Sequence, residues 1–352
     1  MSQGYIRTTR NNYLVHASTS GSFELTEIAL NVTQPLTEQL RMGAQIFTSQ
    51  IGGAGDFKMQ ADWYYLDYRL ADWLGVRAGR TKLPFGLYNE INDIDAARVP
   101  ILLPQAVYPL LNRDLLLAQT GLELYGYLGL GAGGGVEYRL YGGTIFWPTP
   151  STPPGTTLVD HRVPYILGGR LMWDTPLEGL RLGGSMQALR GDANYLIPST
   201  PGGTPDTPYQ ASLRFLLWFA SVEYTGHNLL LAAEGGLWRG DLIVNGAEMT
   251  RQVNERHYAM ASYHVRPWFT PGVYYSGLFP WVDVRDGRQN YQHDIAATLR
   301  FDINHFWIVK LEGHYVLGTA DLSTDLNGGA NVTSSTLPRE WLMFLAKTTV
   351  YF

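Results

Sequence analysis

Apolar and polar residues alternate with a period of two through much of the chain, which is typical of a β-strand whose two faces meet different surroundings. The stretch 58–65 places Met59, Ala61, Trp63 and Tyr65 on one face and polar residues on the other. The same alternation recurs in 40–47, 136–141, 213–219, 294–301 and 307–314. Helical spacing fits these runs poorly, so the pattern predicts an all-β fold.

The alternating stretches give about 16 candidate strands, separated by turn-forming residues. They are 2–8, 21–33, 38–49, 56–70, 72–82, 114–127, 134–147, 163–175, 180–190, 208–223, 226–238, 254–265, 268–281, 288–302, 305–318 and 337–352. An even number of antiparallel strands is typical of transmembrane barrels of the outer membrane. We therefore predict that residues 1–352 form a single transmembrane, up-and-down β-barrel domain.

The connections between these strands alternate in length, with brief ones such as 34–37 and 176–179 followed by longer ones. The longer ones are 9–20, 50–55, 83–113, 148–162, 191–207, 239–253, 282–287 and 319–336. Outer-membrane barrels have short periplasmic turns and longer external loops. The alternation therefore places both termini on the periplasmic side and makes 83–113 the third external loop.

Composition supports a membrane barrel and excludes several other classes of protein. Charged residues make up 16% of the chain, below the roughly 25% of soluble domains. Cysteine is absent, which excludes disulfides and thiolate chemistry. A net charge of −5 without a basic stripe argues against a nucleic-acid partner. The start MSQGYIRTTR lacks the apolar region of a signal peptide, as a mature exported chain does.

Charges at the polar positions of the strands are expected to point into the barrel, because a charge facing lipid is costly near the bilayer midplane. The expected inward bases are Arg41, Lys58, Arg77, Arg139, Arg170, Arg214, Arg300 and Lys310. The expected inward acids are Asp62, Glu123, Glu137, Glu234, Asp294 and Glu312. The lumen is therefore predicted to be polar and mixed in sign.

Residues 83–113 interrupt the alternation and contain four prolines together with a cluster of charges. Glu90, Asp93, Asp95 and Arg98 fall within nine residues. Because a 16-stranded barrel is wide enough for water, selectivity depends on whatever narrows it. We predict that this loop folds into the barrel as a constriction, with those four charges facing the bases of the wall. The alternative is an external lid whose charges are solvated.

Three sequence features resemble the outer-membrane porins of Gram-negative bacteria. They are the start SQGYIRTTRNNYL, the run GRTKLPFGLYNEINDIDAARVPILLPQAVYP and the terminal strand that ends in Phe352. The resemblance is nearest to the group related to the phosphate-selective porins O and P. It implies a location in the outer membrane, a homotrimer, and an eyelet formed by the third external loop. It does not carry phosphate specificity to this chain, which lacks a dense ladder of Lys or Arg.

The predicted function is a passive diffusion channel for small hydrophilic solutes and ions, in contact with outer-membrane lipid. One alternative is a porin selective for anions or sugars. An alternative of another class is a barrel enzyme or a closed structural barrel. The eight histidines belong to no catalytic motif, although His264, His293 and His314 could converge inside the barrel. We therefore expect no enzymatic activity, no catalytic residues, no metal and no cofactor.

Overall fold

The structure of the protein is a computed structural model. It describes the chain apart from residues 53–55, 148, 151, 154, 199–205 and 330–331, and apart from the side chains of residues 112 and 114. The strands are β1 (Ser2–Thr8), β2 (Ser22–Pro35), β3 (Leu40–Ile51), β4 (Gln60–Ala71), β5 (Leu74–Lys82), β6 (Ala118–Gly129), β7 (Gly135–Thr144), β8 (Thr157–Asp174), β9 (Leu180–Ile197), β10 (Thr207–Gly226), β11 (Leu229–Val244), β12 (Ala247–Tyr263), β13 (Phe269–Phe279), β14 (Gln292–Asn304), β15 (Trp307–Gly318) and β16 (Glu340–Val350).

The sixteen strands form one closed antiparallel barrel, in which each strand pairs with its neighbours in the sequence. The barrel closes where β1 pairs with β16, with Ser2 opposite Thr349 and Thr8 opposite Met343. Closure leaves no edge strand, so the backbone groups of every strand have partners on both sides. The prediction of an all-β, 16-stranded antiparallel barrel is confirmed.

The two faces of the wall differ sharply in polarity. On β15, Lys310, Glu312 and His314 are buried on the inner face, whereas Leu311 and Tyr315 are exposed on the outer face. The phase predicted for β14 and β15 from the sequence is therefore correct. Exposed apolar side chains around a closed barrel are suited to contact with lipid.

Helical elements are short. They are three-residue 3-10 turns at Asn89–Ile91, Asp95–Ala97, Leu110–Asn112, Gly131–Gly133, Arg288–Asn290 and Asp325–Asn327, and one α-helical turn, α1, at Arg113–Leu116. In the part of the chain that the structure describes, no helix is long and apolar enough to cross a membrane.

A β-bulge in β4 changes which residues face inward. Gln45 pairs with Trp63 and Ile46 pairs with Ala61, so Asp62 is the extra residue. A bulge lets two consecutive side chains turn to the same side. Asp62 points inward as predicted, but Trp63 and Tyr65 share that inner face instead of facing lipid. The period-two pattern does not reveal the inserted residue.

The wall is taller between β8 and β12 than the sequence pattern predicts. The expected external connection 239–253 is a two-residue hairpin, because β11 continues to Val244 and β12 begins at Ala247. Asn245 and Gly246 have φ values of 48° and 84°, as a type I′ turn requires. An Asn-Gly pair is a strong hairpin signal, and the charged residues around it obscured the strands on either side.

Gly246 provides a test of this hairpin. An added Cβ at Gly246 meets no atom within 4 Å, so the Gly246→Ala substitution causes no steric clash. Its main effect is that alanine, unlike glycine, adopts the left-handed backbone conformation at a cost in free energy. We expect a loss of about 1 kcal/mol in the free energy of unfolding, measured by urea titration in lipid vesicles. Gly313→Ala is the matched control, because that position is equally open but lies in regular strand. Equal losses in the two variants would contradict the turn geometry.

Candidate functional site

The connection between β5 and β6, residues 83–117, carries most of the side chains singled out by the sequence. We call it the β5–β6 connection. Its four prolines, Pro84, Pro100, Pro104 and Pro109, cannot donate backbone hydrogen bonds, which excludes regular strand. Several of its apolar residues are buried, including Leu83, Phe85, Ile101, Leu103, Val107 and Tyr108. The connection is therefore packed against other parts of the barrel.

Hydrogen bonds and ion pairs join the β5–β6 connection to side chains on strands around most of the barrel. These strands are β3, β4, β5, β7, β8, β9, β10, β11, β12, β14, β15 and β16. The wall residues involved lie on the inner faces of their strands. One segment thus binds opposite sides of the same barrel.

Asp95 joins the connection to the two strands next to the barrel seam. Its carboxylate lies 3.1 Å from Nζ of Lys310 on β15 and 3.3 Å from Nζ of Lys347 on β16, and it accepts a 2.7 Å hydrogen bond from Thr349. Burial acts to raise the pKa of Asp95, but Lys347, Lys310 and Arg98 outweigh it and hold the pKa well below its ordinary value. Asp95 therefore stays ionised and neutralises two buried lysines.

Glu90 bridges two arginines on neighbouring strands. Its oxygens lie 3.1 Å from the guanidinium of Arg139 on β7 and 3.1 Å from that of Arg170 on β8. Burial opposes ionisation, yet the two arginines lower the pKa of Glu90 below its ordinary value. The Glu90 side chain keeps an exposed fraction of 26%, whereas the side chains of Asp93 and Asp95 are almost completely buried.

Asp93 occupies a third ionic cluster, which lies against β3, β4 and β5. It pairs with Lys82, accepts a 2.8 Å hydrogen bond from Gln45, and lies 3.7 Å from Arg113. Burial acts to raise the pKa of Asp93, but Lys82 and Arg113 together outweigh it. The pKa of Asp93 is therefore lower than its ordinary value. Arg113 also binds Asp62 at 2.7 Å. Asp93 and Asp62 therefore share one cation between the connection and the wall.

Two wall glutamates accept hydrogen bonds from backbone N–H groups of the connection. Glu312 accepts from Ile101 at 2.7 Å and from Leu102 at 2.9 Å. Glu234 accepts from Leu87 at 3.0 Å and from the hydroxyl of Tyr108. Buried N–H groups outside regular structure need such acceptors. These two carboxylates replace the sheet partners that the connection lacks.

Arg98 differs from the other three predicted constriction residues. Its guanidinium donates to the carbonyl of Ile101 within the same connection and lies 3.9 Å from Asp95. The carbonyl of Arg98 accepts hydrogen bonds from Arg300 at 3.0 Å and from Lys310 at 2.8 Å. Arg98 thus shapes the local turn, and its backbone rather than its charge contacts the wall bases.

Most of the predicted lining residues lie on inner strand faces in acid–base pairs. Arg41 and Arg77 both bind Asp67, and Arg77 also lies 3.6 Å from Glu123. The remaining pairs are Arg139 with Glu123 and Arg170 with Glu137, while Arg300 pairs with Asp302 and Lys310 pairs with Asp95. Asp67 was missed because the bulge at Asp62 inverts the apparent phase of β4.

Two predicted lining residues lie elsewhere. Lys58 precedes β4 in the connection after β3 and is exposed, because the strand begins two residues later than its alternation indicates. Arg214 falls on the outer face of β10, since Phe215, Leu217 and Phe219 occupy the inner face with Ser185 and Gln187 of β9. The run Leu213–Phe219 is apolar on both faces, so its phase cannot be read from polarity.

Several charges on the inner face remain open to water near the short turns between strands. The exposed side-chain fractions are 47% for Arg41, 35% for Arg181, 33% for Glu137 and 38% for Asp174. Arg181 contacts both Glu137 and Asp174, and it lies 3.6 Å from Glu223. Glu137 was predicted, whereas Arg181, Asp174 and Glu223 were missed, although alternation along β9 could have identified Arg181.

The histidines do not form a common site. His314 lies between Asp294 and Glu312 on the inner face, whereas His293 stacks on Tyr275 on the outer face and His264 bonds Thr270 near a turn. Among the residues that the structure describes, no group of three or more His, Cys, Asp or Glu could hold a metal ion.

Comparisons with known proteins support the fold. No family model matches the sequence. An uncharacterised protein of Aquifex aeolicus (strain VF5) is 25% identical over 128 residues, which cover 35% of this chain and 27% of that protein. The match therefore spans little more than a quarter of the relative's length, and it indicates no activity.

Solved structures align over nearly the whole chain at low sequence identity. OmpT of Vibrio cholerae has a TM-score of 0.61 at 10% identity, over 100% of this chain and 95% of that one. An anion-selective porin from Comamonas acidovorans has a TM-score of 0.56 at 11% identity, over 99% and 97%. Salmonella typhi OmpF has a TM-score of 0.56 at 13% identity, over 99% and 95%. The chain has the fold of the outer-membrane porins, and its apolar outer face places it in the outer membrane.

Asp95 is the residue whose loss should most weaken the attachment of the connection. Asp95→Asn leaves Lys310 buried without a counter-charge and leaves Lys347 paired with Glu27, so we expect the free energy of unfolding to fall by about 3 kcal/mol. Because the pKa of Asp95 is depressed, this stabilisation is present above its ordinary pKa of 3.8 and is lost as pH falls further. Urea titrations at several pH values measure both effects.

The exposed turn residue Glu38 provides the control for this prediction. Glu38→Gln should leave the free energy of unfolding unchanged at every pH. A difference between wild type and Asp95→Asn that persists unchanged in strong acid would show that the loss does not come from the ionised carboxylate.

Proposed function

We propose that the protein is a passive porin, through which small hydrophilic solutes and ions cross the outer membrane. The observation that carries this proposal is the set of bonds between the β5–β6 connection and opposite inner walls. A segment held on all sides in this way reduces the cross-section of the barrel. The proposed constriction is formed by this connection together with the inner-face arginines. The loop 83–113 predicted from the sequence contains all of the connection except its last four residues, 114–117.

The charged side chains around the proposed passage, on the inner wall and at Glu90, are close to balanced in sign. Five arginines, Arg41, Arg77, Arg139, Arg170 and Arg181, accompany the acids Asp67, Glu90, Glu123, Glu137, Asp174 and Glu223. Paired charges give a polar passage with a local transverse field and weak selectivity for either sign. A kinship with the phosphate-selective porins O and P is part of the proposal, but phosphate specificity is not.

Anion selectivity is the second candidate function. It is favoured by the arginines on adjacent strands, with Arg139 of β7 directly opposite Arg170 of β8, and by the likeness in fold to the anion-selective porin from Comamonas acidovorans. A homotrimer is proposed from the same fold, because one structure of the Vibrio cholerae OmpT is of its trimer form. We propose transport without catalysis.

Planar-bilayer recording tests the channel and its selectivity. The refolded wild type should conduct in discrete steps, with similar permeability to K⁺ and Cl⁻. Glu90→Gln removes the partly exposed carboxylate of the constriction, and a charge about 8 Å from an ion in water contributes about 0.5 kcal/mol. Because this contribution has opposite signs for Cl⁻ and K⁺, we expect the ratio of Cl⁻ to K⁺ permeability to rise about fivefold.

Glu38→Gln is the matched control, because Glu38 lies in a turn away from the inner wall and should not affect selectivity. A correctly folded, heat-modifiable barrel that passes no ions would overturn the porin assignment. A wild type with a reversal potential near the Cl⁻ equilibrium value would favour the anion-selective alternative.

A disulfide tests where the β5–β6 connection lies. A Cβ added at Gly272 on β13 would be 3.0 Å from Cγ1 of Val99, and this separation suits a sulfur at position 99. The wild type has no cysteine to interfere. Val99→Cys/Gly272→Cys should therefore oxidise spontaneously in the folded protein, without loss of conductance, as thiol titration and single-channel recording would show.

Val99→Cys/Val273→Cys is the control, because Val273 follows Gly272 but is exposed on the outer face. This pair should stay reduced. Equal oxidation of both pairs, or of neither, would rule out a connection held against the inner wall.

A further inference from the structure

A row of charged side chains crosses the outer face of four adjacent strands. Arg190 of β9 lies opposite Arg214 of β10 in the sheet. Arg214 in turn lies opposite Asp241 of β11, and Asp241 lies opposite Arg251 of β12. Arg239 and Asp192 lie two residues from members of this row on the same faces. We call Arg190, Asp192, Arg214, Arg239, Asp241 and Arg251 the outer arginine patch. It faces away from the lumen and takes no part in the proposed passage.

The patch lies at one boundary of the apolar belt. Below Arg214, the outer face of β10 carries Leu216, Trp218, Ala220, Val222 and Tyr224 before the periplasmic turn. From Arg214 to Tyr224 is about 33 Å along the strand, which is about 25 Å along the membrane normal at a tilt of about 40°. That height equals the apolar band of an outer-membrane barrel. Arg214 is therefore level with the headgroups of the outer leaflet.

The arginines of the patch are only partly neutralised. Arg190 binds Asp192 at 2.7 Å, Arg239 binds Asp241 at 2.8 Å, and Arg251 binds Asp241 at 3.1 Å and Glu248 at 2.8 Å. For Arg214, the described part of the structure contains no hydrogen-bond or ion-pair partner. Its two cross-strand neighbours are another arginine, Arg190, and Asp241, whose carboxylate binds Arg239 and Arg251. Two like charges directly opposite each other in a sheet are destabilising unless an anion lies between them.

We propose that the outer arginine patch binds the phosphate groups of phosphorylated lipids in the outer leaflet. Guanidinium groups form paired, charge-assisted hydrogen bonds with phosphate, and basic clusters level with headgroups attract anionic lipid. Arg190 and Arg214 supply two such groups on adjacent strands. The exposed Leu216 and Trp218 beneath them offer an apolar surface to the acyl chains. A second copy of the chain fits this surface less well, since the centres of subunit interfaces are depleted in charge.

Lipid binding by the refolded protein tests this proposal. The probe is a vesicle of phosphatidylcholine that contains diphosphorylated lipid A, and the comparison is a vesicle with the dephosphorylated form. Wild type should retain the phosphorylated lipid through detergent extraction, as measured by native mass spectrometry. Arg190→Gln/Arg214→Gln should retain about tenfold less, because two charge-assisted contacts are lost. Single-channel conductance should not change, which separates this proposal from the proposed function.

Arg69→Gln/Arg266→Gln removes two exposed arginines at the periplasmic end and is the charge-matched control, which should retain lipid as wild type does. The single variant Arg214→Gln should be at least as stable as wild type without lipid A, yet less stabilised by it. Four results would each overturn the proposal: equal retention by the double variant, equal retention of dephosphorylated lipid, displacement by millimolar inorganic phosphate, or dissociation of an oligomer without loss of lipid.

Discussion

The absence of water around a membrane-spanning wall requires every backbone N–H and C=O group to find a partner within the protein. The pairing of β1 with β16 meets this requirement, because it removes the two edges that an open sheet would leave. Closure then separates the side chains into two populations. Apolar residues cover the outside between its two rims, and most ionic groups of the strands lie on the inner face, where they neutralise one another.

The same requirement governs the β5–β6 connection, which is interrupted by proline and has no sheet partner. The N–H groups of Leu87, Ile101 and Leu102 donate to Glu234 and Glu312, whose carboxylates reach in from β11 and β15. Its own acids in turn neutralise wall bases, as Glu90 does for Arg139 and Arg170. The connection and the wall thus supply each other with hydrogen-bond acceptors and counter-charges. Without the other, each would have buried polar groups that lack a partner.

The fold could largely be predicted from the sequence, because lipid on one side and a polar interior on the other impose a period of two. Residues 294–301 show this well, since Asp294, Thr298 and Arg300 all lie on the inner face. The pattern misled where one residue is inserted, at the Asp62 bulge, and where both faces are apolar, around Arg214. The contacts of the site were harder to predict, because bonds such as Ile101 to Glu312 cross the barrel between residues far apart in sequence.

The position of Asp95 also bears on the order of assembly. Its partners Lys347 and Thr349 belong to the final strand, and that strand completes the seam with β1. The β5–β6 connection therefore cannot reach its final position until β16 has paired. Attachment of the connection is therefore a late event that depends on seam formation, and a barrel whose seam is incomplete leaves Lys310 without its counter-ion.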